Sequence, residues 1–139
     1  MFQIDVDYKL PRPWPFRRNK KERKDWALKM YELFLDQVEW LRDDRVPCLQ
    51  VYTGTEIFAE AFGCNVYEPE DNMPFALPLV HNAKEASKLK VPDLSASSLS
   101  VLFEIADKLR EKAGEDAIFM LPDIQSPLDI AALIWEKTD

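Results

Sequence analysis

Cysteine is nearly absent: the 139 residues contain only Cys48 and Cys64. Two thiols cannot build a disulfide framework or a four-cysteine zinc site. A single histidine, His81, excludes any site that needs two histidines from this chain. A Ser-His-Asp triad beside a separate histidine metal site is excluded with it. Glycine is scarce as well. Three Gly against ten Pro argue against a Gly-rich sandwich and against flexible linkers. No apolar run approaches the roughly 20 residues that span a bilayer. No charged-then-apolar leader opens the sequence, so secretion by a signal peptide is not expected. The expected location is the reducing cytoplasm.

Hydrophobic residues make up 47% of the chain and charged residues 31%. That is ordinary globular usage, and the length fits one domain. The charge is uneven. Residues 1–45 carry 11 Lys/Arg and 9 Asp/Glu, whereas residues 46–139 carry 7 and 16. Within the first block, Arg17 to Lys24 reads RRNKKERK, a cluster able to touch phosphate. A solvated linker leading into a helix is the favoured reading of it. The acidic remainder repels a polyanion, so nucleic acid is not an expected partner.

No internal repeat is present. Pro11, Pro13 and Pro15 around Trp14 forbid helix, so residues 1–18 are expected to form an extended arm whose aromatic residues pack. A leading helix is expected within 19–45. Trp26, Met30, Leu33, Phe34, Val38 and Leu41 recur at helical spacing there, and Pro47 ends it. Val46–Tyr52 then reads as a short buried strand of parallel type. Thr53 and Glu56 form a capping-box pattern for a helix over Glu56–Phe62, which Gly63 closes. Asn65–Glu68 is a candidate brief strand, and Glu68–Pro78 an irregular acidic loop.

Asn82 and Glu85 predict a second cap and a short helix to about Lys90. A long helix follows from about Ser97 to Ala113, with Leu99, Leu102, Phe103, Ala106 and Leu109 as its stripe. Ala117–Leu121 reads as a second buried strand. Ser126 and Pro127 open a last helix that is apolar nearly all round. Strands this far apart are not hairpin partners. The pattern is α/β, with too few strands for 139 residues, as in the opening of a larger α/β fold.

Ligands of α/β folds gather at the C-terminal ends of the strands. Two polar segments qualify, Tyr52-Thr-Gly-Thr-Glu56 and Pro122-Asp-Ile-Gln-Ser126. Each leaves a strand and leads into a helix N-terminus, which favours an anionic ligand. Glu56 and Asp123 are the candidate catalytic carboxylates, able to accept ligand N–H groups or exchange protons. Tyr52, Thr53, Gln125 and Ser126 are candidate substrate-binding residues. Plain capping is the competing reading for Thr53, Glu56, Asp123 and Ser126. His81 is a candidate binding residue or proton donor on a loop, or simply a surface residue. No metal site is expected. Glu68-Pro-Glu-Asp-Asn72 lacks the EF-hand spacing. Cys48 is expected to be a buried apolar residue, and acidic neighbours argue against a reactive Cys64.

Several segments, in order, carry a family resemblance. They are Thr55-Glu-Ile-Phe-Ala-Glu-Ala-Phe-Gly63, Pro74-Phe-Ala-Leu-Pro78, Lys88-Leu-Lys-Val-Pro-Asp93, the long helix, and Ile118–Leu121 leading to Ile124-Gln-Ser-Pro-Leu-Asp-Ile-Ala-Ala132. Over about residues 45–139 this resembles the uroporphyrinogen decarboxylase superfamily, which includes cobalamin-associated methyltransferases. The resemblance implies a TIM (β/α)8 barrel two to three times this length. The chain is then an N-terminal portion, a partial barrel in one incomplete domain over 1–139. Residues 46–139 supply its first strands, loop and helices.

The resemblance also implies decarboxylation of a carboxylated tetrapyrrole, without a cofactor. A strand-end Asp would hold the pyrrole N–H groups, and N-terminal Arg residues the acidic side chains. The family's Arg-Gln-Ala-Gly-Arg segment has no counterpart here. Its Asp aligns with Gly54, and Glu56 lies two residues on, the pattern of a divergent member. The alternative, a corrinoid-dependent methyltransferase, would use cobalamin and a zinc site lying beyond residue 139. A third reading is a small non-catalytic α/β binding module. Self-association, or pairing with the remainder of the barrel, is the expected protein contact, and no membrane contact is expected.

Overall fold

The computed structural model of the chain describes residues 4, 6–93, 95, 97 and 99–136. The ends of the expected 1–139 domain, including part of the arm, lie outside the described residues. So does part of the expected start of the long helix. A 3-10 turn at Arg17–Asn19 leads into α1, Lys20–Trp40. Then follow β1 (Leu49–Gln50), α2 (Ile57–Ala61), β2 (Val66–Tyr67), β3 (Phe75–Ala76) and α3 (Ala83–Ala86). The chain continues through α4 (Leu99–Ala113), β4 (Phe119–Met120) and α5 (Pro127–Ile134).

β1 and β4 are adjacent and parallel, with Leu49 opposite Phe119 and Gln50 opposite Met120. Leu49 N–H also bonds the Ile118 carbonyl at 2.8 Å. The two described sheets have two strands each, and neither closes into a barrel. The strands are shorter than the apolar runs that announce them, because each has a single neighbour to hold it. In the second sheet β2 falls within the brief strand expected at Asn65–Glu68, whereas β3 corrects the irregular loop expected over Glu68–Pro78. β2 and β3 form an antiparallel pair joined by residues 68–74, inside the stretch expected to be irregular. Tyr67 and Phe75 face each other across it, with ring centroids 5.3 Å apart. Cross-strand aromatic packing of this kind outweighs the acidic, proline-containing connection.

The main core joins Ala27 of α1, Leu49 and Val51 around β1, and Val101, Ile105 and Leu109 of α4. The residues buried on α1 are Arg23, Ala27 and Gln37, not the expected stripe, and Val38 is exposed. The arm explains this. Tyr8 donates its hydroxyl to Gln37 Oε1 at 2.5 Å, and the Trp26 indole N–H donates to the Leu10 carbonyl at 3.4 Å. Polar side chains can be buried on that flank because the arm supplies their partners.

α4 also departs from its expected stripe. Leu99, Val101, Ile105 and Leu109 are buried, whereas Phe103 is exposed. Phe103 instead lines an open apolar trough of about 520 Å³ with Val51, Phe58, Leu102, Phe119 and Leu121. β4 is likewise not the buried strand expected. Ile118, Met120 and Leu121 are exposed, Leu121 to 79%, and Leu128 on α5 equally so. A smaller core of Ala59, Cys64, Ala76, Val80 and Ile134 seats α5 on α2 and the hairpin. Among the described residues no helix is long and apolar enough to cross a membrane.

Candidate functional site

Because β1 and β4 run parallel, their C-terminal ends lie on the same side, and the two polar segments leave from that side together. Thr55 from the first and Gln125 from the second line one shallow cavity of about 330 Å³, with Asp129. Gln125 Oε1 is buried there and accepts no hydrogen bond from any described residue. Such an atom is a ready acceptor for a ligand N–H. Asp123 is exposed on the same segment and lines no described cavity. Ser126 is committed to its helix. Its Oγ accepts from Asp129 N–H at 3.2 Å while Asp129 Oδ2 accepts from Ser126 N–H at 3.2 Å, a complete capping box.

The segment after β1 behaves differently from its sequence reading. Thr53 is buried, and α2 begins after a turn at Thr55 and Glu56. Glu56 is the N-cap with helical backbone angles and makes no side-chain cap, so the expected Thr53–Glu56 box does not form. The cause is the direction of Glu56, whose side chain turns into the protein and is only 5% exposed. Gly54 makes room for it. A Cβ there would stand 2.8 Å from Glu56 Cδ and 2.9 Å from Oε1, and closer still to Oε2. Burial pushes the Glu56 carboxyl up to about 7, reinforced by Glu60 and opposed by Arg23.

Glu56 lines a second cavity, of about 260 Å³, between the arm and the hairpin. Arg17, Glu60 and Glu68 share it. Arg23 flanks it from α1 and is itself buried, with its Nη2 donating to the Tyr52 carbonyl at 2.5 Å and its Nη1 to the Pro15 carbonyl at 3.3 Å. Tyr52 is half-buried. Its hydroxyl donates to Met73 Sδ at 2.9 Å, and the Arg12 guanidinium lies 3.9 Å over its ring. Sequence reasoning missed Arg23, because a basic residue inside a basic run carries no sign that it is buried. Arg17, Arg18, Lys20 and Lys24 of that run form surface ion pairs. Arg17 meets Glu60 at 3.1 Å, Arg18 meets Glu68, and Lys20 meets Glu104.

Glu56 and Asp123 therefore line no common cavity. His81 lines neither cavity. It follows the parallel bridge between Val80 and Trp135 and pairs with Glu136, past the far end of α5 from Ser126. That bond to Glu136 raises the His81 pKa above 6.5. Cys64 is buried, and Cys48 is half-buried just before β1 rather than within a strand. Burial raises both thiols, which keeps them protonated. Among the described residues no group of three or more His, Cys, Asp or Glu is placed to hold a metal ion. No protein-family model, curated protein or solved structure matches this chain.

Proposed function

We propose that the chain is the N-terminal portion of a uroporphyrinogen decarboxylase-like enzyme, a partial (β/α)8 barrel that acts on a carboxylated tetrapyrrole and is inactive alone. The observation that carries this reading is the parallel β1–β4 pair, whose two polar exits meet at one cavity through Thr55 and Gln125. Parallel neighbours joined through helices are the basic unit of such barrels, and ligands collect at their C-terminal ends. The exposed apolar residues of β4 and the open trough beside α4 give further support. Both are surfaces that additional strand–helix units would cover. At the mouth, Gln125 Oε1 accepts a pyrrole N–H group, and the Asp123 carboxylate, exposed outside the cavity on the same segment, is available as a second acceptor. Turnover needs the remaining strand–helix units to close the pocket.

The test is binding. The full chain is titrated with uroporphyrinogen and, separately, with methylcobalamin, following tryptophan fluorescence. Saturable quenching by uroporphyrinogen, weakened at least tenfold by Asp123→Asn combined with Gln125→Ala, is the expected result. Saturable binding of methylcobalamin alone moves the assignment to the corrinoid-dependent methyltransferase. Binding of neither removes the mouth at β1 and β4 as a substrate site of this chain and favours a non-catalytic α/β module.

A further inference from the structure

We propose that the open apolar trough between α4 and β4 is the interface of a symmetric dimer, in which two copies of this chain pack face to face with Arg110 of each against Asp123 of the other. The inference does not rest on the tetrapyrrole reading, since the apolar face is present whatever the chain acts on. The trough, of about 520 Å³, is walled by apolar side chains and by one charged residue, Arg110. Phe103, Leu121 and Ile124 on its walls are 60%, 79% and 66% exposed. A monomeric chain seldom leaves so continuous an apolar surface uncovered, and large side chains set in a groove are the usual centre of a protein contact.

The occupant follows from the charges that border this face. α4 and β4 both line the trough and are joined through a turn at Gly114, so they run in opposite directions along it. Arg110, on the last turn of α4, marks one end, with its guanidinium 5.2 Å over the Phe119 ring. Asp123 marks the other. It is exposed between Pro122 and Ile124, which both line the trough, and forms no ion pair among the described residues. Arg110 reaches only Glu115, at 3.6 Å, and the Glu115 side chain is 85% exposed, so that pair holds it weakly. A groove with a cation at one end and an acid at the other is complementary to itself after half a turn. A second copy therefore brings each Arg110 to the other's Asp123, while Leu121 of each enters the other's trough. A partner of one charge sign leaves one end unmatched. The net charge of −7 opposes indiscriminate self-association, so the opposite charges at the two ends select this one orientation.

The test is sedimentation equilibrium of the full chain from micromolar to millimolar concentration. A monomer–dimer equilibrium with no larger species is expected. Arg110→Asp and Asp123→Arg each set like charges together at both ends of the contact, and each is expected to weaken the dimer at least tenfold. Combining the two is expected to restore wild-type dimerisation. Phe103→Asp, on the exposed wall of the trough, is expected to give a monomer with wild-type circular dichroism. A wild-type chain that stays monomeric throughout would overturn the proposal and leave the trough to further strand–helix units, without touching the tetrapyrrole reading. Open-ended oligomers would overturn it too, because a contact of this symmetry closes at two. So would full-strength dimers of both single charge variants, or a combination that does not recover.

Discussion

Replacing Glu56 by Gln should change how the stability of this protein depends on pH, and the size of the change follows from where the carboxyl sits. In the unfolded chain the group titrates near 4.5; in the folded chain burial holds it at about 7. Between those values the native state binds a proton that the unfolded state has released. Stability therefore falls as pH rises from about 4.5 through about 7, and the loss is complete above that. At about 1.4 kcal/mol per pH unit, the interval corresponds to roughly 3 kcal/mol. Gln has nearly the same shape and no titration, so the variant lacks this slope. The assay is urea unfolding of both proteins from pH 4.5 to 8, read by tryptophan fluorescence. Other titrating groups, His81 included, cancel in the difference. The variant should gain on the wild type by about 3 kcal/mol across the range. A difference that stays constant within about 0.5 kcal/mol would refute the burial argument.

Gly54→Ala should displace the Glu56 carboxyl without unfolding the protein, because the group in the way is the end of a flexible side chain; carbon-detected NMR should then find Glu56 titrating well below 7. Ser126→Ala removes one half of the α5 capping box and should cost about 1 kcal/mol in urea unfolding. His81 should titrate above 6.5 by proton NMR and return toward that value in Glu136→Gln. Because its folded pKa is raised, its contribution to stability is full below the unfolded value and is lost as pH rises through the folded one. Leu121→Lys should shift the chain toward monomer in sedimentation velocity, since it places a charge on the uncovered face beside β4; an unchanged sedimentation profile counts against that face as the contact.

Element order was largely legible because local signals agree with one another. Asn82 caps α3 through Glu85 N–H, and Ser126 caps α5 through Asp129 N–H, as their spacing implies. β1 and β4 lie within the two apolar runs, and the long helix ends just before Gly114, whose φ of 93° suits glycine. What failed depended on distant partners. The flank of α1 was misjudged because Arg23 and Gln37 are satisfied by Pro15, Tyr8 and Tyr52, which no helical periodicity reveals. β2 lies within the brief strand expected at Asn65–Glu68, but β3 and its pairing were missed because their evidence is a single aromatic pair across residues 68–74. For the site, the two polar segments do follow β1 and β4, as their place in the sequence implies. The direction of Glu56 was not legible, since it is set by the absence of a side chain at Gly54.

The parallel pairing of β1 with β4 also bears on how the chain folds. The register joins residues roughly 70 positions apart, so a long loop must close before the ladder yields anything. The contact between α1 and α4 has the same reach, with Lys20 and Glu104 separated by 84 residues. During synthesis α1 therefore emerges well before the helix that buries its apolar side. Its partners leave the ribosome seconds later, and in that interval the nascent chain exposes sticky surface that a chaperone would shield. Topology of this kind makes folding slow relative to a local helical bundle of similar length.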